Sequence, residues 1–271
     1  MRETATLSTI SASSRAWWRR IGALGALLAL SILGASIFLR LTSVLDLQGH
    51  ASSTLAASSE QAIRMLHRVC ASGVALLALW AVVLCWKQRH APPPRMTQPA
   101  LWIVAATLVL ALIGPLTPGY RLAGVTVLNV SCGVLLLISF WWLRESAPPN
   151  SAGAWSLDSF SWVAMFALLL QVGTGAATSA WEMHAVHWPA LVHLACGLFC
   201  AAMIGLVVLD QRDKSGPSGC RWVVAGLLAG QLVLGYLLMR QDQRSIALSF
   251  VHAMLAPLLA SAFVSLLKRR S

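Results

Sequence analysis

The sequence predicts an all-α integral membrane protein with eight transmembrane helices, arranged as two pseudo-symmetric four-helix bundles. Three observations predict it. The 271 residues are 58% hydrophobic and only 11% charged, whereas a soluble domain carries about 25% charged residues. The apolar residues fall into eight runs of about 20, the length that crosses the hydrocarbon core. The second half of the chain also repeats features of the first. The net charge of +11 would suit a nucleic-acid binder. Here the basic residues cluster at the ends of apolar runs, which is a membrane-topology signal, and no nucleic-acid partner is expected.

The spans are expected at 21–40, 62–86, 99–117, 122–143, 159–179, 189–209, 221–239 and 246–267. Lipid offers no hydrogen bonds to an exposed backbone, so spans of this length must be helices. Arg15, Arg19 and Arg20 precede the first span. Its apolar run is too long for a cleaved leader and lacks a clear small-x-small site, so it reads as a retained span. Lys87, Arg89 and Arg95 follow the second span, and Arg144 follows the fourth. Arg212, Lys214 and Arg221 separate the sixth from the seventh, and Lys268, Arg269 and Arg270 end the chain. With eight spans all these cations share one side. The opposite loops are poorer in cations and hold Asp46, Glu60 and Glu182. Both termini are therefore expected in the cytoplasm, in a bacterial-type inner membrane.

"RESAPPNSAGAWSLD", from Arg144 to Asp158, has the Pro, Ser, Gly and Asn of a linker. The expected division is an N-terminal half over 1–145, a linker over 146–158 and a C-terminal half over 159–271. His67 in the second span corresponds to His193 in the sixth, and Asn129 in the fourth to His252 in the eighth. "LLLQVGTGAAT" and "LAGQLVLGYLLM" share a Gln followed by closely spaced glycines. Gln171, Gln231 and those glycines read as packing residues that let helices approach.

The second, fourth, sixth and eighth spans all enter from the outer side, and each has its polar residue early: His67, Asn129, His193 and His252. At about 1.5 Å per residue, all four side chains are expected roughly 6–10 Å below the outer helix ends. A polar residue within a span is costly and marks a functional site by default. Histidine is an axial ligand of haem iron, and bundle cores host cofactors between facing helices. His193 and His252 thus read as a pair that could hold one haem. Helix–helix hydrogen bonds, a proton path or another metal are the alternatives. His67 faces Asn129, a poor ligand for iron, and reads as the sole protein ligand of an open site or as a hydrogen-bonded histidine.

Arg40, Arg68, Arg121, Arg240 and Arg244 flank these depths on the outer side. Arginine suits bidentate pairing with haem propionates, and snorkelling to the headgroups is the alternative. Glu182, His184 and His187 read as solvated loop groups, and His50 and His90 carry no argument. The six cysteines form no CxxC pair, and most lie within spans as small packing residues. No zinc-type spacing, phosphate loop or nucleophile elbow is present.

These stretches together resemble the heme A synthase family. The matching segments are "FLRLTS", "MLHRVCAS", "LLLQVGTGAAT", "LVHLACGLF", "GQLVLGYLL" and "SFVHAMLAPLL", and the resemblance covers about residues 20–267. It implies that His193 and His252 hold a haem b in the C-terminal half. It implies that His67, with Glu60, serves a catalytic site where the methyl group of haem o is oxidised to the formyl group of haem A. Arg40, Arg68, Arg240 and Asn129 would then be cofactor-binding residues. The partners implied are haem o, membrane lipid, a haem o synthase, terminal oxidase subunits and a second copy of the chain. The chain departs from the family in three places. Asn129 stands where a histidine is usual. Arg64 stands three residues before His67, where a glutamate is frequent, with Glu60 one turn further out. The first outer loop lacks the cysteine pair of some members. A non-catalytic haem-b-binding assembly or electron-transfer protein is the second reading. A repeat-built transporter or scaffold is the third.

Overall fold

A computed structural model describes residues 12–47, 57–87, 94–116, 122–146, 159–182, 188–210, 219–241 and 245–268. They form eight α-helices: α1 (Ala12–Leu47), α2 (Ala57–Lys87), α3 (Pro94–Ile113), α4 (Ala123–Ser146), α5 (Ser159–Glu182), α6 (Trp188–Asp210), α7 (Gly219–Met239) and α8 (Ile246–Lys268). No strand occurs among the described residues. All eight helices are long and apolar enough to cross a membrane, and the protein is a multi-pass membrane protein. Apart from Ser146, which ends α4, the linker expected at 146–158 lies outside the described residues.

Helix ends differ from expectation where the helices run on through polar residues. α1 continues past Arg40 to Leu47, and there Thr42 and Ser43 satisfy their hydroxyls on the Leu39 carbonyl. α2 starts at Ala57 rather than 62, with Glu60 in its first turn. An acidic residue there complements the helix dipole, and Arg64 one turn on binds the same carboxylate. His67 consequently lies about 15 Å along its helix instead of the shallower expected depth. α3 opens on Pro94 and tightens into a 3₁₀ turn over Gly114–Leu116, where Pro115 has no N–H to continue the ladder.

The core is one continuous cluster across both halves. It joins Leu33 of α1 and Phe140 of α4 to Leu168 of α5 and Phe263 of α8. α1 packs against α2 and most closely against α4, and α3 packs against α4. In the second half α5 pairs with α6 and α7 with α8. These two hairpins touch each other only lightly. The halves are therefore related in sequence but unequal in packing. Glycine explains the closeness of α1 and α4. A Cβ on Gly22 would lie 2.7 Å from the Arg144 Cα, and backbone cannot move aside. One hydrogen bond also ties the halves together, from the Trp141 indole of α4 to the Ser265 hydroxyl of α8 at 2.7 Å.

The exposed surface has the same asymmetry. Half of the most apolar window is buried in α4 and in α8, but only 6% in α7. Lipid, and whatever lies between the two C-terminal hairpins, covers the rest.

Gly22→Val should open the α1–α4 contact and destabilise the protein by about 1–3 kcal/mol, the usual cost of overpacking. Gly226→Ala, whose Cβ would meet nothing within 4 Å, should leave the melting temperature in detergent unchanged.

Candidate haem-ligating site

Each C-terminal hairpin carries its histidine against a glutamine of the preceding helix. In the α5–α6 hairpin, the Gln171 side-chain nitrogen is 3.2 Å from His193 Nε2, and Thr174 Oγ1 is 3.2 Å from His193 Nδ1. In the α7–α8 hairpin, the Gln231 nitrogen is 3.5 Å from His252 Nε2. A glycine follows each glutamine by four residues, one helical turn later on the same face. A Cβ on Gly175 would sit 2.9 Å from His193 Cε1, and one on Gly235 would sit 3.3 Å from His252 Cε1. The motif Q-x-x-x-G thus makes a shelf on which the imidazole lies. The sequence reading assigned these glutamines and glycines to packing, and the shared spacing was the available signal for a contact with histidine.

Local structure fixes where each histidine stands. α6 opens on Trp188 and Pro189; proline is preorganised for a first helical turn. The Thr178 hydroxyl of α5 donates to the Pro189 carbonyl at 3.1 Å, and Trp181 packs on Trp188 with ring centres 5.8 Å apart. At α8 the Ser245 hydroxyl accepts from the Leu248 N–H at 3.3 Å, which is an N-cap. The Gln241 side chain accepts from the Ser245 N–H at 3.2 Å. His193 and His252 therefore each sit about two turns from an anchored helix start.

The two hairpins bring these rings together. Their centres are 6.3 Å apart and their planes meet at 85°. A metal held in line between two imidazoles requires a separation of about 6 Å. That is two metal–nitrogen bonds of about 2.0–2.1 Å plus the distance from each ring nitrogen to its ring centre. The Thr174 hydroxyl donates to the Gln171 carbonyl at 3.1 Å, so its oxygen is left to accept from His193 Nδ1–H. That tautomer puts the lone pair on Nε2, where it accepts from the Gln171 amide; a metal bound at Nε2 would have to displace that amide, leaving Nδ1–H on Thr174 as in a metal-ligating histidine. Three buried atoms in this region have no hydrogen-bond partner among the described residues: Gln171 Oε1, Gln231 Oε1 and His252 Nδ1. Among the described residues no cluster of three or more His, Cys, Asp or Glu side chains could hold a bare metal ion.

Among the described residues, no hydrogen bond or ring contact joins the remaining predicted residues to this pair. His67 and Asn129 are half-buried, and no hydrogen bond or ring contact among the described residues joins them. The Glu60 carboxylate is bound by Arg64 Nε at 2.8 Å and by Nη2 as well, with both side chains about half exposed. Arg40 is buried at 6% exposure, whereas Arg68 and Arg240 are exposed. Beside Arg40, Phe38 meets Phe250 of α8 edge-on at 6.0 Å, so the C-terminal third of α1 adjoins the helix that carries His252. Arg121, Arg244, His184 and His187, and the side chain of Glu182, lie outside the described residues. The chain matches no known family model and no curated protein.

Gly175→Val should drive the His193 ring off its shelf and cost about 1–3 kcal/mol of stability. Gly235→Ala, with a looser contact, should cost less. Thermal unfolding of both variants in one detergent checks the order.

Proposed function

We propose that this protein is a heme A synthase-like membrane oxidoreductase that holds haem b between His193 and His252. The observation that carries the haem reading is the 6.3 Å separation of two half-buried imidazoles inside apolar helices. Haem b, when bound, supplies one-electron redox chemistry. Thr174 holds the His193 tautomer, and Gly175 and Gly235 seat the two rings. Two histidines holding one haem would suit electron transfer rather than substrate exchange.

Haem o is the proposed substrate, in the N-terminal half. Oxidation of a methyl to a formyl group removes four electrons and four protons and adds one oxygen from water. It requires an electron acceptor of the membrane quinone or dioxygen class. His67 is the proposed ligand of the substrate iron, and Arg40, buried close to the outer end of α1, pairs with a propionate. The second reading is a non-catalytic haem-b protein. It is favoured by Asn129 in the fourth polar position and by the engagement of Glu60 with Arg64. The first reading places the protein in the inner membrane with both termini cytoplasmic, next to haem o synthase and the terminal oxidase.

Full-length protein expressed with adequate haem should carry one low-spin haem b. His193→Ala and His252→Ala should each abolish that spectrum, and wild-type protein without haem would overturn both readings. In cells lacking their own heme A synthase, the chain should convert haem o to haem A, and His67→Ala should stop the conversion. A haem-loaded protein with no conversion, gaining it in Asn129→His, would select the second reading.

A further inference from the structure

At the other end of the bundle, where α1 begins and α4 ends, three arginines border one open, shallow hollow. Arg19 and Arg20 of α1 and Arg144 of α4 line a hollow of about 370 Å³, with Ala16 and Ala23 as the remaining wall. Residues 16, 19, 20 and 23 lie on one face of α1 at helical spacing. The alanines are too small to fill that face, which is why it is concave. Gly22 brings the α4 backbone against α1 at Arg144, and so delivers the third cation.

The cations are held in place. Arg144 lies over the Trp141 ring at 4.4 Å, and Trp141 is itself fixed by Ser265. Arg20 lies over Trp17 at 5.6 Å, and Trp17 packs on Trp80 at 6.2 Å. Glu145 is the acid in reach, 3.9 Å from Arg144. Three cations against one carboxylate leave two positive charges facing one hollow. Like charges gathered this way repel, and an anion that bridges them relieves the repulsion. Tryptophans concentrate at headgroup depth, and basic pockets between helices at that depth on the cytoplasmic side accept anionic head groups.

We propose that the Arg19–Arg20–Arg144 cleft binds a phosphate group, that of an anionic phospholipid or of a soluble phosphate ester. The lipid source matches the tryptophan-rimmed depth. Guanidinium forks give two parallel hydrogen bonds to phosphate oxygens, and two helices contribute them, so an occupied cleft also staples α1 to α4. This inference does not depend on the haem reading.

The test uses the full-length protein in a neutral detergent. Its melting temperature is followed against added phosphatidylglycerol, phosphatidylcholine or inorganic phosphate. Phosphatidylglycerol should raise it saturably and phosphatidylcholine should not. Arg19→Gln and Arg144→Gln should each weaken the apparent affinity about tenfold, as expected for a charged hydrogen bond. Arg221→Gln, on a cation stacked over Trp222 at the start of α7, should not change it. A saturable response to inorganic phosphate at equal affinity would support the site with a soluble ester as its ligand. No saturable response to either probe would overturn the proposal, as would an equal loss in Arg221→Gln. Arg19 is exposed, so Arg19→Gln decides the matter even if Arg144→Gln fails to fold.

Discussion

The structure of the second half depends on one constraint: an imidazole inside an apolar helix needs a polar partner, and here the preceding helix supplies one to a ring nitrogen of each histidine. Each histidine is answered by a glutamine on the helix before it, at 3.2 Å for His193 and 3.5 Å for His252. Those contacts set which faces of α5 and α7 turn inward. They also set where glycine is required, because a ring lying on a helix leaves no room for a side chain beneath it. The tight internal packing of each hairpin follows from the same contacts. So does the light packing between the hairpins, since each has met its largest polar demand internally.

The two halves solve the same pattern differently. α1 and α4 close on each other through glycine, with Gly133 admitting Leu33 as Gly22 admits the Arg144 backbone. No histidine lies between them, and Asn129 makes a smaller demand than an imidazole would. α5 and α8, their counterparts, stay further apart. Close packing in the first half supplies the rigid side of the molecule, against which α8 is positioned by Phe38, Phe250 and the Trp141–Ser265 hydrogen bond.

Much of this was legible in the sequence, for identifiable reasons. Eight spans could be read because hydrocarbon thickness fixes their length, and all eight stand within a few residues of expectation except α1 and the starts of α2 and α3. There the helices run on through polar residues such as Thr42, Ser43 and Glu60, which apolar periodicity ignores. The pairing of His193 with His252 could be read because a histidine in a span is rare enough to be noticed. The glutamine contacts could not. Lipid is as apolar as a protein core, so polarity does not say which helical face packs inward, and a glutamine near a glycine fits many helix contacts. Nor could the inequality of the halves be read, because it rests on close approaches at Gly22 and Gly133 that only three-dimensional placement reveals. For Glu60, adjacency to Arg64 one turn away was visible in the sequence, and the ion pair places that carboxylate at a half-exposed helix start.

The Gln–Gly–His unit is complete within a single hairpin. His193 takes its Gln171 and Gly175 contacts from α5, and His252 takes its Gln231 and Gly235 contacts from α7; the ring-to-ring contact is added when the hairpins meet. Membrane helices enter the bilayer in chain order, so each hairpin can set its own imidazole as it is inserted. What remains is the docking of two finished pieces. Biogenesis of this half then has a natural pause point, at which each imidazole already rests on its own glycine shelf and the two hairpins have yet to dock.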